Sequence, residues 1–457
     1  MRSWLSIALA CVLVGSASAQ EPPPPVFELP EVIVPGQRPQ PPRSTPASVT
    51  VITRADLERL GARTVADALR LVPEAMVRVY GGFGSLAEAS IRGFGPGQVL
   101  VLVDGVPVNN IAHGQADLAG ISTANVERIE VLRGAFGAIS GSGAVGGVIN
   151  IVTRGQGSSV RARTGGYGER SIAVSAGGDA ASLALESSAT GGARPNSDAA
   201  AFTAVGGLAV WGGRLTVHHT RLDLGTPGDT AFPTPQDRQS VVRTLGQFQW
   251  GGAEGPWRGR LYGGVESLTF TSPFGSSTFS SVVTGGSLQR QWDLGPARVL
   301  VVGLEGLRQT LDAAVSGSPI VQEASLGAGF VQFDAALSPR ALLSTAVRVD
   351  AHSFYGVTVN PRAGVVVTFG ETTLLRVGVG RTFRGPTFLH LYYPGCSDPS
   401  LRPETAWTVE ASLERSGAGR MSTVTVFQTD ARDLISGGCP PQNIGSAFIR
   451  GISGEVR

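Results

Sequence analysis

The chain of 457 residues has no lysine, so all 37 of its basic residues are arginine, set against 35 acidic ones. With 63 glycines and abundant alanine and valine, this absence is a mark of base composition, and an arginine here carries less functional meaning than usual. The balanced charge implies no polyanion as partner, and nucleic acid is not expected. Histidine is scarce: five in all, none at tight metal-ligand spacing, which speaks against a dedicated transition-metal cage. No nucleophile-base constellation and no G-x-S-x-G elbow occurs, so neither an enzyme, a catalytic site nor a cofactor is expected. Beyond the N-terminus, no apolar run is long enough to cross a bilayer as a helix. Membrane association is then peripheral or through a β-barrel, because only helices and closed barrels satisfy their backbone groups in lipid. Cysteine occurs three times. Cys11 lies inside an N-terminal apolar run without the preceding leucine of a lipoprotein signal. For Cys396 and Cys439, a disulfide, free thiols and pairing elsewhere are all open.

What is present begins with a secretory signal over residues 1–19: Arg2, an apolar run over 4–14, and Ala17-Ser18-Ala19 as the cleavage site. Residues 20–43 are rich in proline and read as an extended tether. Inside it stands a β-prone island, Glu31, Val32, Ile33, Val34 and Pro35, suited to pairing with the sheet edge of another protein. Thr53 with Asp56 and Thr64 with Asp67 have the spacing of capping boxes, so two short helices are expected. Gly61 suits the stop of the first and Pro73 ends the second, with Val65, Leu69 and Val72 on one face. Strand-like pieces follow at 77–80, 89–92, 99–103, 126–132 and 145–152. Residues 44–154 thus read as a small α+β domain.

The segment 126–154, VERIEVLRGAFGAISGSGAVGGVINIVTR, joins a charged edge (Glu127, Arg128, Glu130, Arg133) to crowded glycines and a β-branched strand. Gly141, Gly143 and Gly146 formally satisfy G-x-G-x-x-G, but that fingerprint needs a helix after it, and a strand is expected instead. Nucleotide binding is excluded on that ground. From residue 155 onward the chain breaks into short alternating segments. Over 343–353, Leu343, Thr345, Val347, Val349 and Ala351 share one face, and Ser344, Arg348, Asp350 and His352 the other. Such strands fit a transmembrane barrel with a wet interior, and equally a soluble sandwich.

Four strings in order, SIRGFG (90–95), VLVLVDGVPVN (99–109), VERIEVLRG (126–134) and GSGAVGGVINIVTR (141–154), resemble the plug domain of TonB-dependent outer-membrane receptors. Later strings at 360–364, 373–392, 398–414 and 427–435 resemble consecutive barrel strands of the same family. The resemblance implies a membrane β-barrel, residues 155–457, behind an N-terminal α+β plug. At about 20 residues per strand the barrel holds about 14–15 strands against 22 in the plugged class. On this count the barrel is C-terminally truncated, and a non-functional fragment is an alternative to a working receptor.

Further expectations follow from the resemblance. The island 31–35 corresponds to a TonB box, and the partners are periplasmic TonB with its inner-membrane energising complex, outer-membrane lipid and a metal-chelate ligand. Arg92, Glu127, Glu130 and Arg133 of the plug and Glu404 and Glu410 of the barrel are expected to make plug-to-wall contacts, largely wet and individually weak. Ligand contacts are expected from the plug's apical loops, 80–86 and 109–115, through Tyr80, Gly82, Phe83, Asn109, Asn110 and His113. Counting strand direction along the matched region puts Cys396 and Cys439 in neighbouring extracellular loops, as a disulfide. The implied function is active uptake of a scarce nutrient across the cell outer membrane. The compact plug looks most like the cobalamin-receptor branch, with ferric siderophores as the close alternative. A signalling receptor, a passive porin and an outer-membrane enzyme fit the sequence less well.

Overall fold

The computed structural model describes residues 45–456 apart from 154–156, 252–254, 296, 316 and 418. The expected signal peptide, tether and 31–35 island lie outside the described residues.

Local chemistry shapes the first domain. Strand β1 (Ser48–Thr53) runs into helix α1 (Arg54–Leu60), where Thr53 caps the Asp56 N–H and the Asp56 carboxylate accepts from the Thr53 N–H at 2.9 Å. Gly61, with φ 60°, ends that helix in the left-handed conformation. Thr64 and Asp67 make the same box for α2 (Val65–Leu69), and Val65, Leu69 and Val72 are buried together as their spacing requires. Helix α2 ends at Leu69, four residues before Pro73. Strands β2 (Ala75–Val79) and β3 (Ala87–Ile91) form a separate antiparallel pair. Strands β4 (Val99–Val103), β5 (Val106–Pro107), β6 (Val126–Arg133) and β7 (Gly147–Thr153) join β1 in a sheet of order β1-β6-β7-β4-β5. The Gly141–Gly146 run leads directly into β7 and not into a helix, which removes the dinucleotide reading. At Gly147, φ 155°, an added Cβ would strike the Leu132 carbonyl, so glycine there lets β7 pass close to β6.

The remainder is one antiparallel sheet of sixteen strands among the described residues, each paired with its sequence neighbours from β8 to β23. They are β8 (Ser159–Thr164), β9 (Arg170–Gly177), β10 (Ala181–Thr190), β11 (Ala199–Val210), β12 (Gly213–Gly225), β13 (Arg238–Trp250), β14 (Trp257–Ser272) and β15 (Gly275–Asp293). Then come β16 (Arg298–Val315), β17 (Ser318–Ser338), β18 (Ala341–His352), β19 (Gly356–Phe369), β20 (Thr373–Arg384), β21 (Glu404–Gly417), β22 (Arg420–Ile435) and β23 (Asn443–Val456). Sixteen exceeds the expected 14–15 because β8 and β9 are short and some turns need only two residues, such as 211–212 and 339–340. A second difference lies at 373–392, read from sequence as strand throughout. β20 stops at Arg384, and after Gly385 and Pro386 a short helix α3 (Phe388–Tyr392) begins, capped by Thr387. Proline cannot donate to the ladder, which ends the strand there.

The alternation is inverted relative to a soluble protein. On β18, Val347 and Val349 are 38% and 40% exposed, while Ser344, Arg348 and Asp350 are buried on the inner face. Apolar side chains face outward and polar ones face the plug, as lipid outside and a wet interior demand. Every connection at one end of the sheet is short (178–180, 211–212, 251–256, 294–297, 339–340, 370–372, 418–419), whereas the long ones (191–198, 226–237, 385–403, 436–442) all lie at the other. Short turns mark the periplasmic end and long loops the outer end.

Candidate functional site

The plug meets the polar inner face of the sheet through a buried charge cluster. Arg92 follows β3 with φ 54°, and its guanidinium donates to Glu410 on β21 at 2.8 Å and to Glu74 of the plug. The Phe427 ring of β22 lies 4.2 Å from the same guanidinium, and Glu74 accepts from Ser453 on β23. Arg133 sits beside this group and donates to the Pro73 carbonyl (2.9 Å) and the Thr50 hydroxyl (2.8 Å), both within the plug. Glu404 accepts from Gln98 of the plug at 2.7 Å and from Arg384 at 3.0 Å. Of the expected contact residues, the fold therefore brings Arg92, Glu404 and Glu410 to the plug-wall boundary. Glu130 is bonded inside the plug, to Arg128 and Asn150, and Glu127 is exposed and makes none of the ion pairs among the described residues. The expectation of wet pairs also fails for Arg92 and Glu410, whose side chains are 1% and 2% exposed.

Several contacts had no local signal in the sequence. Phe136, in the 3-10 turn Gly134–Ile139, fits over Gly364 and Gly378, where an added Cβ would strike its ring, and Arg362 lies over it at 4.4 Å. Arg348 joins Glu305 and Asp350 at 2.8 Å each and donates to the Ile139 carbonyl. Ser142 accepts from the Gly385 N–H at 2.9 Å. Glycines spaced along β19 and β20 were the one visible trace of the Phe136 seat. On the other side of the plug, a cavity of about 80 Å³ separates it from the inner face of β8–β13, lined by Ser122, Asn125, Arg161, Glu186, His218 and Arg243 among others.

The plug's apical loops stand at the outer end. Tyr80 is 55% exposed, with its hydroxyl on Glu88, and Gly82 is exposed. Phe83 packs against Ala199, Leu222 and Leu224 of the wall. Asn109 is used internally: its Oδ1 accepts from the Val101 N–H and its Nδ2 donates to the Val99 and Gly114 carbonyls. Asn110 donates to Glu266 of β14 and accepts from the Ala112 and His113 N–H groups. The His113 ring lies 5.2 Å from Phe279. These side chains shape the loops, leaving Tyr80 and Gly82 as the more open positions. Helix α3 covers the apex, the Leu389 N–H donating to the Ala112 carbonyl at 3.2 Å, and Phe388 and Tyr392 contact Phe354. Burial pushes the His390 imidazole down to about 4, helped by Arg384 and His113, and burial lowers His113 as well. Cys396 and Cys439 are joined as a disulfide with Cα atoms 5.0 Å apart, tying the loop that carries α3 to residues 436–442.

Comparison with known proteins decides the family. Residues 41–148 match the model of the TonB-dependent receptor plug domain, and 144–457 that of the TonB dependent receptor-like β-barrel. The chain belongs to the TonB-dependent receptor family. Its members are outer-membrane transport receptors, not enzymes; they interact with TonB and bind small-molecule ligands. The receptor is 26% identical over 450 residues to a protein named vitamin B12 transporter BtuB from Photobacterium profundum, covering 90% of this chain and 73% of the relative. It is 37% identical over 182 residues to the protein of the same name from Vibrio cholerae, covering 38% of this chain and 29% of that one. Among solved structures, the siderophore receptor PirA from Pseudomonas aeruginosa superposes with a TM-score of 0.68 at 22% identity, covering 91% of the receptor and 81% of PirA. At that identity the likeness shows the fold alone.

Proposed function

We propose that the receptor binds cobalamin at its outer face and moves it inward in a TonB-driven cycle. The observation that carries this reading is the sequence match to vitamin B12 transporters along nine-tenths of the chain, since the siderophore receptors share the fold at lower identity. In this reading residues 1–19 direct export and 20–43 form the tether. Residues 44–154 are the plug and 155–457 the wall. Periplasmic TonB, energised from the inner membrane by the proton gradient, pairs with the island at Glu31–Pro35 and pulls. The ligand rests on the apical loops, with Tyr80, Gly82, Phe83, Asn109, Asn110 and His113 forming or shaping its seat.

A calorimetric titration of the purified receptor with cyanocobalamin and, separately, with a ferric siderophore tests the reading. Saturable binding of cyanocobalamin, weakened at least about tenfold by Tyr80→Ala with His113→Ala, is the expected result, since losing two ring contacts removes over 1 kcal/mol. Binding of the ferric siderophore alone would overturn it.

A further inference from the structure

The chain has six tryptophans, and four of them, Trp211, Trp250, Trp257 and Trp292, lie at the short-turn end of β11–β15. Alternation places Trp250, Trp257 and Trp292 on the outward face together with Leu261, Leu288 and Leu300; Trp292 pairs with Leu300, and Trp250 shares a row with Leu288 through Gly259. Phe248 stacks on Trp250 with ring centroids 5.9 Å apart, and Trp211 meets Phe248 edge-on. Opposite Trp250 is Gly259, where any Cβ would collide with the indole, so the ring lies flat on the sheet. Tryptophan at this height belongs to the headgroup level of the periplasmic leaflet.

One cation sits within the cluster. Arg290 is the cross-strand partner of Trp257, and its guanidinium lies 5.1 Å from the Trp257 ring and 4.8 Å from the Trp292 ring. Two indole faces hold the guanidinium plane and leave its N–H edge free to donate. The Arg290 Nε is buried and has no hydrogen-bond partner. Outward positions of this rim on β14, β15 and β16 are Trp257, Gly259, Leu261, Leu288, Arg290, Trp292, Arg298, Leu300 and Val302, with no carboxylate among them. A fixed donor fork without a counter-charge, at headgroup depth and above an apolar wall, matches a phosphodiester carrying acyl chains.

We propose that Arg290, clamped between Trp257 and Trp292, binds the phosphate of a phospholipid in the periplasmic leaflet, whose chains lie along Leu261 and Leu288. The site is distinct from the transport path, and its failure would leave the cobalamin reading untouched. Receptor extracted in a mild detergent and examined by intact-complex mass spectrometry should carry a phospholipid adduct. Arg290→Gln is expected to lower adduct retention about tenfold, the loss of one charge-assisted contact. Trp257→Leu with Trp292→Leu should lower it too, and Arg298→Gln, on the same rim outside the indole pair, should leave it unchanged. Excess inorganic phosphate should not displace the adduct. Arg290→Lys guards against a folding defect: it keeps the charge and loses the planar fork, so it too should retain less lipid. Equal retention by wild type and Arg290→Gln, or equal loss in Arg298→Gln, would overturn the proposal.

Discussion

At the scale of single residues, burial separates the pairs that matter from those that do not. The Arg92–Glu410 pair is shielded by Phe427 on one side and by Glu74 and Ser453 on the other. Removing Glu410 leaves Arg92 and the neighbouring Arg133 with Glu74 as the nearest carboxylate, so the buried cluster loses one counter-charge where water does not reach, at a cost of about 3–5 kcal/mol. Glu410→Ala is therefore expected to lower the urea midpoint at which a protease first cuts within residues 45–153, and a midpoint equal to wild type would refute the cost. Arg308–Glu323, with both side chains half or more exposed on the outward face, is the contrast: Arg308→Ala should leave that midpoint in place. Resemblance pointed to both Arg92 and Glu410, but Glu74, Gln98 and Phe136 went unseen. Their partners lie some 230 to 380 residues away along the chain, and no local pattern encodes such a meeting. Glu127 and Glu130 were misjudged for the complementary reason. Alternation along β6 sends one to solvent and the other into the plug sheet, which their charge alone does not reveal.

At the scale of elements, what depends on near neighbours was legible. The two capping boxes and the turn at Gly61 are written within four residues of one another, and they form as written. Helix α3 was missed although Thr387 and His390 repeat the box geometry, because an apolar string after β20 reads as more strand. That helix titrates. The His390 pKa lies near 4 in the folded chain against about 6.5 unfolded, so between these values the unfolded state binds the extra proton. Docking of α3 on the apex, where Arg384 and His113 lie near enough to oppose a charge on His390, is then complete above pH 6.5 and weakens as pH falls toward 4. The protection factors of amides over residues 385–403, corrected for the intrinsic slowing of exchange in acid, should fall across that window in wild type and much less so in His390→Gln; wild-type protection that does not change with pH would contradict it. The disulfide constrains the same loop. Its 43-residue separation corresponds to about 4 kcal/mol of chain entropy withheld from the unfolded state. Cys396→Ser with Cys439→Ser is expected to lower the denaturation midpoint in non-reducing buffer to the value wild type shows in reductant, and different values would show another role for the thiols.

At the scale of the whole molecule, period-two alternation showed that these were half-buried strands but not which side faced what. The plug supplies the answer, because a polar inner face is stable only against something that hydrogen-bonds to it. Strand number was harder to read, since it depends on turns of two residues that composition does not announce. The two parts are joined unequally. Near β18–β21 the turn Gly134–Ile139 packs directly on the wall through Phe136, whereas toward β8–β13 a cavity of about 80 Å³ intervenes. Phe136→Ala opens a void at the tight side and should cost about 3–5 kcal/mol of plug docking. The wall's own ladder of hydrogen bonds does not involve that ring, so its stability should not change. The two responses can be read separately because Trp211, Trp250, Trp257, Trp292 and Trp407 all lie in the wall and none in the described plug. Tryptophan fluorescence in urea is expected to give the same midpoint for Phe136→Ala and wild type, while hydrogen exchange within β4, β6 and β7 becomes faster in the variant. A coincident drop in both would mean that plug and wall unfold as one unit, and that the seat of Phe136 holds the sheet together as well as the plug.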